Sequence, residues 1–583
     1  MKVVAVPAPG RRARASLSSV VLILGFGSVL GSGCGDPGVE PPPPLTPCEE
    51  AVACTRNTQE VASGTFEYSV SRYDYTFDLT TRQASSRVLL NVFQPGGDCF
   101  SIPGPAGITN PTWNGSPARV SQANGMLGVC GTPQFAGQVN FESNYTVPEA
   151  TYFYSQVGFS RRPDFVGNTF SYLLGWVESC DLFGPCDDLT NRLANYTFTV
   201  NHPAGQTVLC PGARTSGTTQ TRCELLGTQA PTYSSFAVAS NPRWVSTRLV
   251  DSTAAQLDFY EIPEGRLVDA LDANAVGHFL QWITQQLGPL PYGRELRVAS
   301  APTEWLGIEH PANIILREDL PLLRQDYANM TMHTLMHEVV HQWAGNRTTL
   351  ESPMDYPWKE ALAEYFTYLY EEQNRNWEAP QTLAYWDKQA RTASYYLRPQ
   401  DNPAPDYVSF INDVYGTGPM ILFLQLEPLI GRDKVIAGIR TFLSIQGTRS
   451  IDDLRFALEA ASGANLERYF QTWLVGSGEP DWPFFAVTHA KANGQLTLTV
   501  MQQTLSNVVY PCAVEIELRG DLASQKQLVT VDFTLNPQSA TVTKSISAPS
   551  WTVRQVLVDP GNKLVNRKAT GLVREPKSAG WVL

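Results

Sequence analysis

Alternating apolar and polar positions dominate the first part of the chain, from about residue 63 to 240. Stretches such as TFEYSVSRYDYTFDL, SSRVLLNVF and NYTFTVNH are rich in aromatic and β-branched residues and are separated by Gly, Pro and Asn. This pattern, with no helical periodicity between the stretches, is typical of successive β-strands. We therefore predict an all-β domain over residues 63–240.

The pattern changes between residues 265 and 480, where apolar residues recur at spacings of three and four. Examples are GRLVDALDANAVGHFLQWITQQL, WKEALAEYFTYLYEEQ and IDDLRFALEAAS, and a strand candidate, ELRVAS, lies among them. This spacing indicates amphipathic helices. After Pro480, strand-like stretches such as GQLTLTVMQQ and QLVTVDFTL return. The expected fold is multidomain α+β, with a mainly helical domain over 241–485 and a C-terminal β-sandwich over 486–583.

The first residues follow the order of a secretory signal. A basic segment precedes an apolar run from Leu17 to about Leu30, and small residues then lead to Cys34. The run is short and interrupted by glycine, which disfavours a membrane span. We interpret residues 1–33 as a signal peptide. The small residues before Cys34 resemble a bacterial lipoprotein signal, in which that cysteine carries the lipid, and ordinary cleavage near Gly33 is the alternative.

A proline-rich segment that contains GDPGVEPPPPLTP occupies residues 34–62. Such a sequence forms no packed element and acts as a stiff tether. The signal and the tether together predict an exported protein on the bacterial cell envelope, held to the membrane only through its lipid. Without the lipid, the protein would be secreted.

Cysteines and charge narrow the class of protein further. Eight cysteines lie between Cys34 and residue 230, in neighbouring pairs such as Cys48 with Cys54 and Cys180 with Cys186. In an exported chain this arrangement predicts disulfides in the β domain, because the alternative, a cysteine zinc site, lacks its usual CxxC spacing.

The net charge is -12, without a block of Lys or Arg beyond the N-terminus. Nucleic acid is therefore not an expected partner.

The segment HEVVHQW, which begins at His337, carries the candidate chemistry. On a helix, His337 and His341 lie one turn apart on one face, so both imidazoles reach a single ion, and Glu338 lies beside them near a metal-bound water. Tetrahedral zinc needs a third protein ligand. The residues alone leave two candidates on a second helix, Glu360 and Glu364.

His333 lies four residues before His337, so three histidines recur at a spacing of four residues. At about 1.5 Å of rise per residue, His333 stands roughly 12 Å from His341 along the axis, too far for both to bind one ion at about 2.1 Å. We interpret His333 as a residue behind the ligands or as a satisfied polar residue. Glu360 and Glu364 have a simpler alternative too, because paired carboxylates on a helix usually face water.

A resemblance decides between the two glutamates. HEVVHQWAGNRTTL followed by PWKEALAEYF resembles the zinc aminopeptidases of the gluzincin clan, the family of membrane alanyl aminopeptidase, whose pattern is HExxH, eighteen residues and then Glu. Residues 342 to 359 are those eighteen residues here. The resemblance implies one zinc ion held by His337, His341 and Glu360, with Glu338 as the catalytic base, in a thermolysin-like domain.

Two further segments resemble the family pattern. In WLGIEHPANIILRED, Gly307 and Glu309 occupy places in a Gly-x-Met-Glu-Asn strand, whose glutamate holds the free α-amine of the substrate. His310 replaces the asparagine of that strand. In NDVYGTGPMILFLQL, Tyr415 and then Gly418 match a tyrosine and glycine at the start of a helix. The resemblance thus implies substrate binding by Gly307 and Glu309 and a catalytic role for Tyr415.

The resemblance covers roughly residues 65 to 580 and has departures. Ala361 replaces the glycine usual after the third ligand, and Thr367 stands where a further glutamate is common. Neither change removes a metal ligand. The resemblance implies a short form of the family, without the large C-terminal helical domain of many relatives.

The resemblance implies a zinc aminopeptidase acting on peptides with a free N-terminus, and the signal-like segment predicts that this enzyme is exported. Glu338 would take a proton from a water that the zinc activates, and Tyr415 would donate a hydrogen bond to the developing oxyanion. One alternative is a zinc endopeptidase or a non-peptide hydrolase on the same fold. This alternative is favoured if Glu309 does not face the zinc. The other is an inactive surface-binding protein. The preferred side chain and the oligomeric state are not readable from these residues.

Overall fold

The computed structural model describes residues 67–567, with gaps at 95–98, 131–136, 150–156, 176–178, 188, 227–234, 304, 324–328, 353–354, 376–377, 385–419, 475–481 and 534–538. Within these residues, no helix is long and apolar enough to cross a membrane. The predicted signal peptide, the tether and Cys34 lie outside the described residues, as do Cys48 and Cys54.

The N-terminal region is built from strands, as its alternating pattern predicted. These are β1 (Glu67–Asp78), β2 (Gln83–Gln94), β3 (Cys99–Pro103), β4 (Thr109–Trp113), β5 (Ser116–Pro117), β6 (Arg119–Ala123), β7 (Met126–Cys130), β8 (Gly137–Thr146), β9 (Gly158–Pro163), β10 (Thr169–Gly175), β11 (Asn195–Asn201), β12 (Thr207–Leu209), β13 (Ala213–Ser216), β14 (Gln220–Leu225) and β15 (Phe236–Asn241). They form an eight-stranded sheet in the order β13-β14-β11-β1-β2-β8-β4-β5, a four-stranded sheet in the order β12-β15-β10-β9, and a three-stranded sheet in the order β3-β7-β6.

The four-stranded sheet joins the β region to the catalytic region. On β15, Ala237 and Ala239 pack into the core of the catalytic region, whereas Phe236 and Val238 pack into the core of the β region. Successive side chains of a strand point to opposite faces, so one sheet contributes to two cores. The two regions are therefore joined through buried apolar surface.

Disulfides close parts of the β region. Cys99 is bonded to Cys130, Cys180 to Cys186 and Cys210 to Cys223, with Cα atoms 4.1, 5.5 and 5.8 Å apart. The predicted disulfides are thus present for these three pairs. Cys512 is a buried free thiol in the C-terminal region.

The catalytic region combines a sheet with a helical layer. Its strands are β16 (Val245–Asp251), β17 (Gln256–Glu261), β18 (Glu295–Ala301), β19 (Gly307–His310), β20 (Asn313–Arg317), β21 (Thr348–Leu350) and β22 (Gly447–Arg449), and its helices are α1 (Ala273–Leu287), α2 (Met330–Val340), α3 (Tyr356–Asn374), α4 (Met420–Leu424), α5 (Glu427–Ile430), α6 (Arg432–Leu443), α7 (Ile451–Ser462) and α8 (Glu467–Trp473). The main sheet has the order β16-β17-β18-β20-β19, so β19 lies at its edge. This edge strand packs against α2.

Capping side chains define where helices of this region begin. The Asp272 carboxylate accepts hydrogen bonds from the backbone N–H groups of Asn274 and Ala275 at the start of α1. Ser450 and Asp453 form a capping box at the start of α7, and Gly463 ends that helix in the left-handed region. These contacts satisfy backbone groups that a helix end leaves without partners.

The C-terminal region is a β-sandwich. Its strands are β23 (Phe484–Ala492), β24 (Gln495–Gln503), β25 (Cys512–Arg519), β26 (Lys526–Phe533), β27 (Thr541–Ser547) and β28 (Gln555–Val558). They form two sheets, in the orders β23-β24-β27 and β26-β25-β28. Inward residues of both sheets, such as Leu498 and Ile516, belong to the same apolar core as the catalytic region. The predicted multidomain α+β fold is confirmed.

Candidate active site

The HEVVHQW segment forms the end of helix α2, and the whole helix is buried. The side chain of Asn329 caps its start by accepting a hydrogen bond from the Met332 backbone N–H. At the other end, the Gln342 side chain donates to the His310 carbonyl and accepts from the Ala312 N–H. The end of α2 is therefore held against the turn between β19 and β20, which brings that strand beside the two histidines.

Three side-chain atoms converge at the end of α2 as the resemblance implied. The Nε2 atoms of His337 and His341 lie 2.9 Å apart, and Glu360 Oε2 lies 3.2 Å from the first and 3.3 Å from the second. Two ligand atoms at about 2.1 Å from one ion, with tetrahedral angles, stand about 3.4 Å apart. The sides of this triangle, 2.9 to 3.3 Å, are close to that spacing, and three protein ligands are the number that catalytic zinc sites use.

Glu364, the other candidate for the third metal ligand, lies in a different position from Glu360. Its Oε1 lies 2.7 Å from Nδ1 of His337, on the side of the ring away from the ligand triangle. A carboxylate at the second nitrogen of a ligating imidazole orients the ring and raises its basicity. Glu360 thus lies at the triangle of candidate ligand atoms, whereas Glu364 lies at the other ring nitrogen of His337.

His333 extends this support. Its Nε2 lies 3.3 Å from Glu364, its Nδ1 lies 2.7 Å from Glu371, and Thr382 donates a 2.6 Å hydrogen bond to Glu371. Burial lowers the pKa of the His333 imidazole, but the two carboxylates outweigh it and raise that pKa to about 10. His333 is therefore a charged, satisfied residue behind the ligands, consistent with the interpretation from spacing.

The second-helix residue Thr367 does not take part in this network. Its hydroxyl donates a 2.9 Å hydrogen bond to the Ala363 carbonyl within α3. The carboxylate that supports His337 comes instead from Glu364, one turn earlier on the same helix. The departure at Thr367 thus leaves His337 with a carboxylate partner.

Glu338 lies against strand β19, next to the predicted ligands. A Cβ atom added to Gly307 would stand 2.3 Å from Glu338 Oε1, so the carboxylate fills the space that the glycine leaves. Burial raises the pKa of Glu338 to about 8; the His337 ring opposes this effect, and the charge of Glu309 adds to it. A pKa in this range suits a group that must take and return a proton near neutral pH.

Glu309 faces the same side of β19 as Gly307, because residues two apart on a strand share a face. Ligand atoms of Glu309, Glu338 and His341 all lie within 4.8 Å of one another. Burial tends to raise the pKa of Glu309, but Lys359, whose Nζ lies 2.8 Å from Oε1, lowers it. Glu309 is thus an ionised carboxylate beside the predicted metal position.

His310 occupies the place of the family's asparagine and is fully buried. Burial lowers the pKa of its imidazole to about 4, so the ring is neutral at pH 7. Within the described part of the chain, neither ring nitrogen has a hydrogen-bond partner. The strand therefore carries an uncharged ring beside Glu309.

Sequence reasoning assigned no role to Lys359, although this residue directly precedes Glu360. The structure pairs Lys359 with both Glu309 and Glu360. The sequence feature that could have drawn attention to Lys359 was a lysine among mostly apolar residues in one turn of the helix. Tyr415 and Gly418, which the resemblance implicated, lie outside the described residues.

Comparison with known proteins finds a similarity that covers the catalytic region. The peptidase family M1 domain matches residues 273–473, which include both helices of the site. This part of the chain is therefore similar to an M1 peptidase domain, and the resemblance found in the sequence is confirmed.

The relatives match only parts of the chain. Aminopeptidase N of Streptomyces lividans is 26% identical over 157 residues, which are 25% of this chain and 18% of that protein. Aminopeptidase N of Lactobacillus delbrueckii subsp. lactis is 28% identical over 232 residues, which are 37% of this chain and 27% of that protein. The chain thus spans about a quarter or less of the length of these relatives.

A solved structure extends the likeness in fold. Legionella pneumophila aminopeptidase A, crystallised in complex with aspartic acid, superimposes with a TM-score of 0.65 at 15% identity. The superposition covers 83% of this chain and 57% of the Legionella chain. At this identity the likeness concerns the fold alone.

Substitution of Gly307 tests the contact between β19 and Glu338. In Gly307→Ala the new methyl group would displace the Glu338 carboxylate, and we expect kcat on an aminoacyl substrate to fall by about 100-fold, as misplacement of a reacting group by about 1 Å can do. The zinc content should stay at the wild-type level. Gly277→Ala is the matched control, because a Cβ there would meet Val250 at an ordinary 3.8 Å. Equal kcat values for the two variants would contradict this role of Gly307.

Substitution of His333 tests the network behind the ligands. In His333→Gln the Glu364 carboxylate loses its charged partner and supports His337 less well, so we expect zinc affinity to fall by about 10- to 100-fold. Competition with a chromogenic chelator measures this affinity, with circular dichroism to confirm the fold. His278→Gln is the control, since His278 pairs with Tyr370 instead. Wild-type affinity in His333→Gln would show that the network does not act on the metal.

Proposed function

We propose that this protein is an exported zinc-dependent aminopeptidase, which removes the first residue of peptides with a free N-terminus. The supporting observation is the joint position of the ligand triangle, Glu338 and Glu309. A general base and an amine-binding carboxylate lie around one three-ligand cluster, and ligand atoms of Glu309, Glu338 and His341 are all within 4.8 Å of one another. A purely structural metal site needs neither residue.

Zinc fits the donor set better than a hard cation. Two imidazole nitrogens and one carboxylate oxygen suit zinc, whereas magnesium and calcium prefer oxygen ligands throughout. His337, His341 and Glu360 would hold the ion. When bound, zinc acts as a Lewis acid that polarises the scissile carbonyl and lowers the pKa of water.

Glu338 carries the proton during peptide hydrolysis. Its carboxylate takes a proton from the attacking water and returns it to the nitrogen of the leaving group, so the C–N bond breaks as a neutral amine departs. The close contact with Gly307 fixes the carboxylate on the β19 side of the ligands. The resemblance of the sequence implies that Tyr415 would donate a hydrogen bond to the carbonyl oxygen as negative charge develops there, which would stabilise the transition state more than the substrate.

Glu309 restricts where the peptide is cut. An α-ammonium group bound to this carboxylate places the first peptide bond, and no other, beside the ligand triangle. An acetylated or internal amide lacks the charge and cannot form this ion pair with Glu309, which disfavours its binding relative to a free amine. This restriction separates an aminopeptidase from an endopeptidase that shares the same metal centre.

One observation favours a second candidate, a zinc hydrolase without selectivity for a free N-terminus. Glu309 is already paired with Lys359 at 2.8 Å, so part of its attraction for a substrate amine is offset. If this offset were complete, the centre would act as an endopeptidase or on a non-peptide amide or ester. Substrates that differ only at the amino group separate the two candidates.

Hydrolysis of matched substrates tests the proposal. A panel of aminoacyl chromogenic amides is compared with the same compounds after N-acetylation, using zinc-loaded wild type and Glu338→Gln. We expect cleavage of the free-amine series only, lost on chelation and reduced by about 100-fold or more in the variant. Equal cleavage of both series would refute the aminopeptidase and leave the second candidate. Absence of turnover on every substrate would refute both.

Export and lipid attachment are part of the same proposal. The signal-like N-terminus, Cys34 and the proline-rich tether support an envelope protein, and the disulfides of the β region suit an oxidising compartment. In a bacterium that lipidates exported proteins, we expect the wild type in the membrane fraction and Cys34→Ser in the soluble fraction. Fatty-acid labelling should be lost in the variant. Membrane association of Cys34→Ser at the wild-type level would contradict the lipid anchor.

A further inference from the structure

Lys359 is a buried cation between the predicted amine anchor and a predicted metal ligand. Its Nζ lies 2.8 Å from Glu309 Oε1 and 2.7 Å from Glu360 Oε1. The Lys359 side chain is 2% exposed, against 5% for Glu309 and 11% for Glu360. Lysine is almost never this buried unless it is paired. The ammonium group of Lys359 is therefore paired with both carboxylates at once.

The backbone is shaped to receive this lysine. Gly345, in the turn after α2, has φ of +133°, a conformation that favours glycine. A Cβ atom at Gly345 would stand 2.8 Å from Cε of Lys359, so the methylene chain of the lysine fills the space beside the glycine. Lys359 thus has a defined path from helix α3 to the two carboxylates.

The two oxygens of Glu360 have separate roles as a result. Oε1 accepts a hydrogen bond from Lys359, whereas Oε2 completes the triangle with His337 and His341. A carboxylate held in this way offers one oxygen to a metal. Lys359 therefore orients a ligand as well as pairing with Glu309.

The charges of the site lead to the proposal. Glu309, Glu338 and Glu360 carry three negative charges when ionised, Lys359 carries one positive charge, and a divalent cation carries two. Loss of Lys359 makes the loaded site more negative by one charge, whichever protonation state Glu338 has. An α-ammonium group would offset that added negative charge.

We propose that Lys359 determines how strongly this site selects a charged amino terminus. The inference rests on the proposed function of Glu309 as the amine anchor. It adds that Lys359 limits how strongly Glu309 attracts the substrate amine. Because Lys359 shares the Glu309 carboxylate, an incoming α-ammonium group meets a carboxylate whose charge is partly offset and is repelled by a second cation nearby. The site accordingly tolerates uncharged termini better than the same site with an unshared carboxylate.

Binding measurements on zinc-loaded protein test this proposal without relying on turnover. The probes are an α-amino hydroxamate and its des-amino analogue, which both bind zinc through the hydroxamate and differ only in the amine. Selectivity is the ratio of their dissociation constants from titration calorimetry. The proteins are wild type, Lys359→Met, which removes the charge at similar length, and Lys359→Arg, which keeps it. Elemental analysis confirms one zinc ion per chain in each protein.

We expect selectivity for the amino compound to rise at least tenfold in Lys359→Met and to stay within about twofold of wild type in Lys359→Arg. A general loss of packing would weaken both probes alike and leave the ratio unchanged. If Lys359→Met does not fold, Lys359→Gln removes the charge while its amide still donates to a carboxylate, and it carries the same expectation. Unchanged or reduced selectivity in the neutral variant would overturn the proposal.

The outcome is distinguishable from failure of the proposed function. If wild type cleaves free and acetylated substrates equally but a neutral Lys359 variant gains tenfold selectivity in binding, the aminopeptidase proposal fails while the role of Lys359 stands. If wild type is a selective aminopeptidase and the variants show no change in the ratio, the role of Lys359 fails alone. Equal binding of the two probes to every variant would refute Glu309 as an amine anchor and this inference with it.

Discussion

The need to neutralise buried charge between helices α2 and α3 governs the centre of this protein. Packing these helices together removes His333, His337, Glu338, Glu360 and Glu364 from water. An unpaired ion in such a place costs several kcal/mol, so each must have a partner. Behind the ligand triangle, Glu364 lies between His333 and His337, and Glu371 pairs with the other nitrogen of His333. On the other side, Glu309 and Glu360 share Lys359, and the proposed divalent metal ion would offset the remaining negative charge.

The surrounding fold serves this arrangement by holding a sheet edge against α2. Strand β19 presents Gly307 to Glu338 and Glu309 to the ligands, and the Gln342 side chain joins the end of α2 to the β19–β20 turn. The sheet is in turn packed against the four-stranded sheet of the β region, whose alternate side chains enter both cores. The proposed metal ligands, base and amine anchor thus lie on or at the ends of helices and a strand, and such elements hold side chains more precisely than loops do.

The geometry of the ligand triangle is set within a particular arrangement of charge. Lys359 lies between Glu309 and Glu360, burial lowers the pKa of the His310 ring, and His333 is buried between two carboxylates. Electrostatic effects are strong in a site from which water is excluded. Peptidases that share one fold and one set of ligands can therefore differ in which amino termini they accept.

Local sequence determined much of this protein. Alternation of apolar residues predicted the β regions, and spacings of three and four predicted the helices, because a strand or helix repeats its own burial pattern. The HExxH spacing placed His337 and His341 on one helical face for the same reason. The excess distance from His341 predicted that His333 lies away from the ligands, and its two ring nitrogens contact Glu364 and Glu371.

Tertiary structure decided what depends on contacts between distant segments. Within the sequence, Glu360 and Glu364 are one turn apart on one helix, and only the approach of α3 to α2 makes the first complete the triangle and the second support His337. The pairing of Lys359 with Glu309 joins residues fifty positions apart and left no periodic signal in either segment. Periodicity reports which face of an element is buried, whereas the partner of a buried charge is set by which elements pack together.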